Sequence, residues 1–229
     1  MQLEQVLFTQ GFGTRHECRG LIVNGRVSVN NEILRDPYQE VQTADLIFCV
    51  DGTPWPYLEK AIVALNKPAG YECSRKPIHH PSVLSLLPAP LRNRGVQPVG
   101  RLDEDTTGLL ILTDDGVLLH RLTHPKRHVS KTYRVGVKHV MTESMLQKLL
   151  EGVFLAGENQ PVAATHVQLI EERIFEMSIT QGKYHQVKRM VAAVGNRVHS
   201  LHRVAFGKFS LPDTLPSSRW CFINKEDLL

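Results

Sequence analysis

Residues 100–116, GRLDEDTTGLLILTDDG, constrain the fold of this chain more than any other stretch. Leu109-Leu110-Ile111-Leu112 is a short apolar run closed by Gly108 on one side and by Asp114-Asp115-Gly116 on the other, the pattern of a buried strand. Asp103, Glu104 and Asp105 stand just ahead of it, at the end of a long basic segment. A carboxylate set among cations stays ionised and can be aimed at a substrate. Arg101 precedes Asp103 by two residues, so on extended backbone both side chains project to one side. Asp114 and Asp115 lie in a turn, where aspartate commonly bonds its own backbone, and with Asp105 they are read as structural.

The distribution of charge points to a polyanionic partner. The formal net charge is only +4. Residues 73–102 nevertheless hold five Lys/Arg and no acid, residues 120–134 hold five with three histidines and no acid, and residues 182–208 hold six with no acid. These segments carry 16 of the 27 cations, which leaves 11 against all 23 acids elsewhere, a net of −12. Such segregation makes a one-sided basic surface. Arg101, Lys126, Arg127, Lys131 and Arg189 fall in it and are expected to meet phosphates, with affinity falling as salt rises.

Several classes of function are disfavoured. No run approaches the roughly 18 apolar residues of a membrane span, and the first residues lack the basic and apolar regions of a signal peptide, so a cytoplasmic protein without membrane association is expected. Cys18, Cys49, Cys73 and Cys221 are scattered without a Cys-x-x-Cys pair and read as small buried apolar residues. His120, His124 and His128 would share a helical face only if a helix ran through Pro125, which proline forbids, so no metal is expected. No glycine-rich phosphate loop joins a strand to a helix, and no cofactor is expected.

Two parts follow one another along the chain. Leu3–Phe8 and Arg15–Val23 read as helices, the second capped by Thr14 and ended at Asn24-Gly25. Residues 26–29 and 32–34 form a hairpin around Asn30-Asn31. Asp51-Gly52-Thr53-Pro54-Trp55-Pro56 is the best linker, giving a first domain over 1–50, a linker over 51–60 and a second domain over 61–229. In the second domain, strands at 61–65, 109–112, 133–137, 162–170, 174–179 and 197–204 alternate with helices at 117–122, 142–150 and 184–194. Strands so often adjacent in sequence predict an α+β fold on a mainly antiparallel sheet.

Four words in order, GRLD with TTGLL, Lys131-Thr132-Tyr133, GKYHQVKRM with AAVGN, and Leu201-His202-Arg203, together with LNKPAGY at the start of the second domain, resemble the RsuA family of pseudouridine synthases. The resemblance covers nearly the whole chain. It implies isomerisation of a uridine in ribosomal RNA to pseudouridine, with Asp103 the catalytic carboxylate, Tyr133 stacked on uracil, Leu201 beneath the base and Lys188 the cation of a buried ion pair with Asp103. Arg189, beside Lys188 on the helix, is left for phosphate or structural contact. The tail words resemble the branch acting on the small subunit, which implies the uridine known as position 516 of 16S rRNA in an assembly intermediate, and a monomeric enzyme. A sister synthase of 23S rRNA and a non-catalytic assembly factor are the rival readings. The first domain resembles the RNA-binding domain of small-subunit ribosomal protein S-four, with Arg15, Arg19 and Arg26 as its RNA contacts. Residues 1–50 hold four Arg against six acids, so this domain should orient RNA more than attract it.

Overall fold

In a computed structural model describing residues 1–229, the chain divides into two compact units, 1–61 with 87–96 and 62–86 with 97–229. Thr14 caps the second helix as its sequence requires. Its hydroxyl accepts from the Glu17 amide while the Glu17 carboxylate accepts from the Thr14 amide, the reciprocal arrangement that satisfies two otherwise orphaned donors. Helices α1 (Leu3–Thr9) and α2 (Arg15–Val23) are followed by strands β1 (Val27–Val29), β2 (Glu32–Ile33), β3 (Ile47–Val50) and β4 (Thr53–Pro56), in the sheet order β2-β1-β3-β4. Asn30 and Asn31 both take positive φ, as the tight hairpin between β1 and β2 demands.

The proposed linker is displaced. Residues 53–56 are β4, paired antiparallel with β3 around Asp51-Gly52, and Trp55 is buried. Prolines were compatible with a strand here because β4 is the edge of its sheet, where an amide facing outward needs no ladder partner. The first unit also recruits α3 (Ala89–Asn93), from far along the chain. The Asn93 side chain donates to the Gly11 carbonyl at 2.8 Å, and Leu91 is fully buried. A truncation at residue 50 would therefore strip α3 of its partners.

The second unit is built on one sheet: β5 (Ile62–Lys67), β6 (Gln97–Pro98), β7 (Thr107–Thr113), β8 (Lys131–Val137), β9 (His166–Glu171), β10 (Ile174–Ile179), β11 (Val198–Phe206), β12 (Phe209–Ser210) and β13 (Trp220–Phe222). The order is β13-β5-β7-β11-β8-β10-β9, with β6 on β7 and β12 on β11. Every pairing is antiparallel except β7 with β11. Leu109 to Leu112 are fully buried, so both faces of β7 are covered, which explains an uninterrupted apolar run in place of alternation. One of those faces packs Leu109 and Ile111 with Leu118 and Leu122 of α4 (Gly116–Thr123). Asp115 caps α4 by accepting from the Val117 and Leu118 amides. The helix stops before Pro125. Helices α5 (Glu143–Glu151) and α6 (Gln186–Ala193) complete the unit, and no helix is long and apolar enough to cross a membrane. Of the four cysteines only Cys18 is buried, while Cys49, Cys73 and Cys221 are partly exposed.

Candidate active site

A cavity of about 570 Å³ opens in the second unit, and its walls carry Arg101, Asp103, Lys126, Lys131, Tyr133, Lys188 and Leu201, drawn from all the sequence words after LNKPAGY. Strand register brings them together. Tyr133 of β8 lies opposite Arg203 of β11, and Lys131 lies opposite Phe206, so these four share one face of the sheet. Arg203 and Phe206 are three residues apart, an odd spacing that regular pleating would send to opposite faces. A register shift between Arg203 and Ala205 returns both to the cavity side. Gly108, at φ +99°, permits the parallel approach of β7 to β11, since a Cβ there would collide with the Arg203 backbone.

The carboxylate loop 103–106 is held from beneath by Lys67, a residue to which the sequence alone assigned no role. Lys67 ends β5 fully buried, with its Nζ against the carbonyls of Pro68 (3.0 Å), Asp103 (3.1 Å), Glu104 (3.1 Å) and Thr106 (2.8 Å). Burial pulls its pKa below the ordinary lysine value, against the opposing field of the nearby Cys73 and acids. Lys67→Met is expected to lower stability by about 2 kcal/mol, since those carbonyls lose a charged donor. Turnover should fall more than RNA affinity, because the loop that aims Asp103 is loosened. Thermal unfolding beside single-turnover kinetics checks this; unchanged stability and rate would remove Lys67 from the site.

Asp103 is flanked by two groups of the GKYHQVKRM word. Its Oδ2 lies 3.3 Å from Lys188 Nζ and its Oδ1 lies 3.4 Å from His185 Nε2. Lys188 is shared: it also donates to Asp105 at 2.7 and 2.9 Å. Loss of hydration draws the Lys188 pKa down, but Asp105 and Asp103 outweigh it and hold it above the usual lysine value. Burial raises the Asp105 carboxyl, yet the Lys188 ammonium prevails and holds it below the usual range. Two expectations are corrected here. The ion pair is not buried, with 33 % of the Asp103 side chain and 26 % of Lys188 exposed, so its removal costs less than a fully desolvated pair would. Asp105, read as structural, is the nearer partner of Lys188.

The helix also starts later than its sequence suggested. Tyr184 lies outside α6, 72 % exposed, and stacks on the His185 ring with centroids 3.8 Å apart. His185 is the N-cap, at φ +47°, and sits one turn before Lys188. The three-residue spacing of His185 and Lys188 was the available signal for a shared partner, but a histidine within a run of cations reads equally as phosphate contact. Arg189 is committed to protein carbonyls, those of Tyr184 and Ala156, and does not line the cavity.

The expected phosphate contacts divide into exposed and engaged groups. Arg101, Lys126 and Arg127 are exposed. Lys131 is half-buried, donating to the carbonyls of Val129 (2.7 Å) and Thr180 (3.5 Å), and burial with the neighbouring Arg203 lowers its pKa to about 8. Arg203 is 1 % exposed; its Nε donates to the Leu109 carbonyl at 2.6 Å and its Nη2 meets no acceptor. In the first unit, Arg15 and Arg19 pair with the buried Glu4, and Arg26 grips Asp51 through two hydrogen bonds of 2.6 Å. All three keep about half of their side chains exposed.

Comparison with known proteins shows the family of the chain. The RNA pseudouridylate synthase family matches residues 61–193, and the S4 domain matches residues 1–47. A "Ribosomal small subunit pseudouridine synthase A" of Pasteurella multocida is 34 % identical over all of this chain and 98 % of its own length. The protein of that name from Yersinia pestis is 37 % identical over 92 % of this chain and 87 % of its own. The chain belongs to the RsuA-type pseudouridine synthases. A crystal structure described as a pseudouridylate synthase superposes with a TM-score of 0.70 at 31 % identity, covering 100 % of this chain and 98 % of the other. The synthase fold thus accounts for the central sheet, and the S4 domain for α1, α2 and the hairpin that follows them.

Proposed function

We propose that this synthase isomerises one uridine of small-subunit ribosomal RNA, the one known as position 516 of 16S rRNA, to pseudouridine, with Asp103 as its catalytic group. The observation that carries the reading is Asp103 in a cavity wall with Lys188 and His185 on its carboxylate and with Tyr133 and Leu201 among the other lining residues. The reaction breaks the bond from ribose to N1 of uracil, turns the base and rejoins the sugar at C5. No group enters and nothing is oxidised. A carboxylate near the anomeric carbon is suited to trapping the sugar, stabilising its oxocarbenium character or removing the 2′ proton. In this reading Tyr133 stacks on the uracil and Leu201 packs beneath it, which their positions in the cavity wall support. The names of the relatives support the small subunit as the source of the RNA. The reading includes a cytoplasmic monomer acting on an assembly intermediate.

RNA enters against Arg101, Lys126 and Arg127, while Arg15, Arg19 and Arg26, already paired with acids, offer their outer edges as orienting contacts. Changing Lys126 and Arg127 together to Gln should reduce the slope of log affinity against log salt by about 1.4–1.8, at roughly 0.7–0.9 per phosphate released. Titration of small-subunit RNA at several salt concentrations reads that slope; an unaltered value would place the RNA track elsewhere. The function itself is tested by mapping pseudouridine in ribosomal RNA from cells with and without the protein. Loss of a modification in 23S rRNA would redirect the substrate, and an unchanged map would remove the activity.

A further inference from the structure

We propose that Lys131 and Arg203 form a cationic floor to the cavity that takes up the negative charge of the departing uracil. The inference rests on the reading of the cavity as the uridine site. Its basis is an energetic anomaly: Arg203 is buried and Lys131 half-buried, neither has a carboxylate partner, and they repel each other. Taking a cation out of water without a counter-charge is unfavourable by several kcal/mol, and a fold retains such an arrangement where an anion is brought to it. Arg203 faces the cavity opposite Tyr133 by ordinary alternation from Leu201, the β11 bulge brings Phe206 to the same side, and Phe206 spaces the two cations, with Arg203 Cζ 5.3 Å and Lys131 Nζ 5.5 Å from its ring centre.

The reaction supplies one anion at this depth. When the bond between C1′ and N1 breaks, its electron pair stays with the base, and the negative charge spreads over N1, O2 and O4. Asp103 meets the positive charge left on the sugar, and the cations meet the base. The base then turns, C5 returns an electron pair to C1′, the C5 proton leaves and N1 takes one up, so no atom is gained or lost. Preorganised donors aimed at charge that develops only in the transition state act on the rate more than on binding. A backbone phosphate is the other anion that would suit two cations, but phosphates are met at the exposed Lys126 and Arg127, whereas Lys131 and Arg203 lie on the sheet face beside Tyr133.

The test uses an RNA fragment carrying the mapped target, with either uridine or 5-fluorouridine at that one position. Fluorine at C5 withdraws electrons and stabilises the base anion, so the protein is needed less. Lys131→Met should lower the single-turnover rate at saturating uridine RNA about 100-fold, as for loss of one preorganised donor, with affinity within about twofold. With 5-fluorouridine, consumption of the target nucleoside should show a defect below about tenfold. Lys131→Arg should keep most of the rate on both. Arg203→Met should repeat the pattern, and if it fails to fold the Lys131 pair of variants still decides. An equal defect on both RNAs overturns the inference, as does weakened RNA affinity with an intact saturating rate, which assigns the pair to a phosphate. Wild-type protein inactive on any ribosomal RNA overturns the functional reading together with this inference, so the two failures are distinguishable.

Discussion

Replacing Asp103 by Asn is expected to abolish pseudouridine formation, by at least about 1000-fold or ~4 kcal/mol in the barrier, while RNA affinity stays within a few-fold. The substitution keeps the shape of the side chain and its position on the loop that Lys67 secures. It removes the charge that Lys188 and His185 face, and with it any means of trapping or stabilising the sugar cation. Pseudouridine counted after nuclease digestion, with binding measured in parallel, separates chemistry from affinity. Substantial turnover by the Asn variant would exclude Asp103 as the catalytic group.

Removing Lys188 should have the next largest effect. Lys188→Met leaves Asp103 and Asp105 without the cation they share, and the Asp105 carboxyl that Lys188 holds below the usual range should rise. Turnover is expected to fall about 100-fold. Asp105→Asn provides the contrast. It frees Lys188 to serve Asp103 alone, so the rate should change less than about tenfold, since the pair is partly exposed and the lost contact correspondingly weak. Should Lys188→Met retain its rate and Arg189→Met lose it, the roles of the two cations would be reversed. The geometry argues against that outcome, because Arg189 is turned to the carbonyls of Tyr184 and Ala156.

These predictions draw unequally on sequence and structure. Elements whose causes are local were legible in the chain itself. Thr14 announces a helix cap, Asn30-Asn31 a tight hairpin, and the run Leu109–Leu112 a buried strand. Each depends on neighbours within a few residues, so the residues involved state their own conformation. The candidate site residues Asp103, Tyr133, Lys188 and Leu201 were also legible, because each lies in a word whose spacing is preserved in the resemblance.

What the sequence could not specify depended on strands meeting across long separations. The β11 bulge decides that Arg203 and Phe206 face the cavity together, and no residue within Leu201–Phe206 announces a register shift. Lys67 reads as one more lysine until the loop 103–106 folds over it and presents carbonyls to its ammonium. Residues 53–56 read as a linker because proline usually breaks a ladder, and only the position of β4 at a sheet edge makes that strand tolerable. The exposed cations and the engaged ones, Lys126 against Lys131 or Arg15 against Arg203, are the same residue types in the chain. Tertiary structure separates them, because desolvation and the nearest carboxylate are set by contacts between residues far apart in sequence.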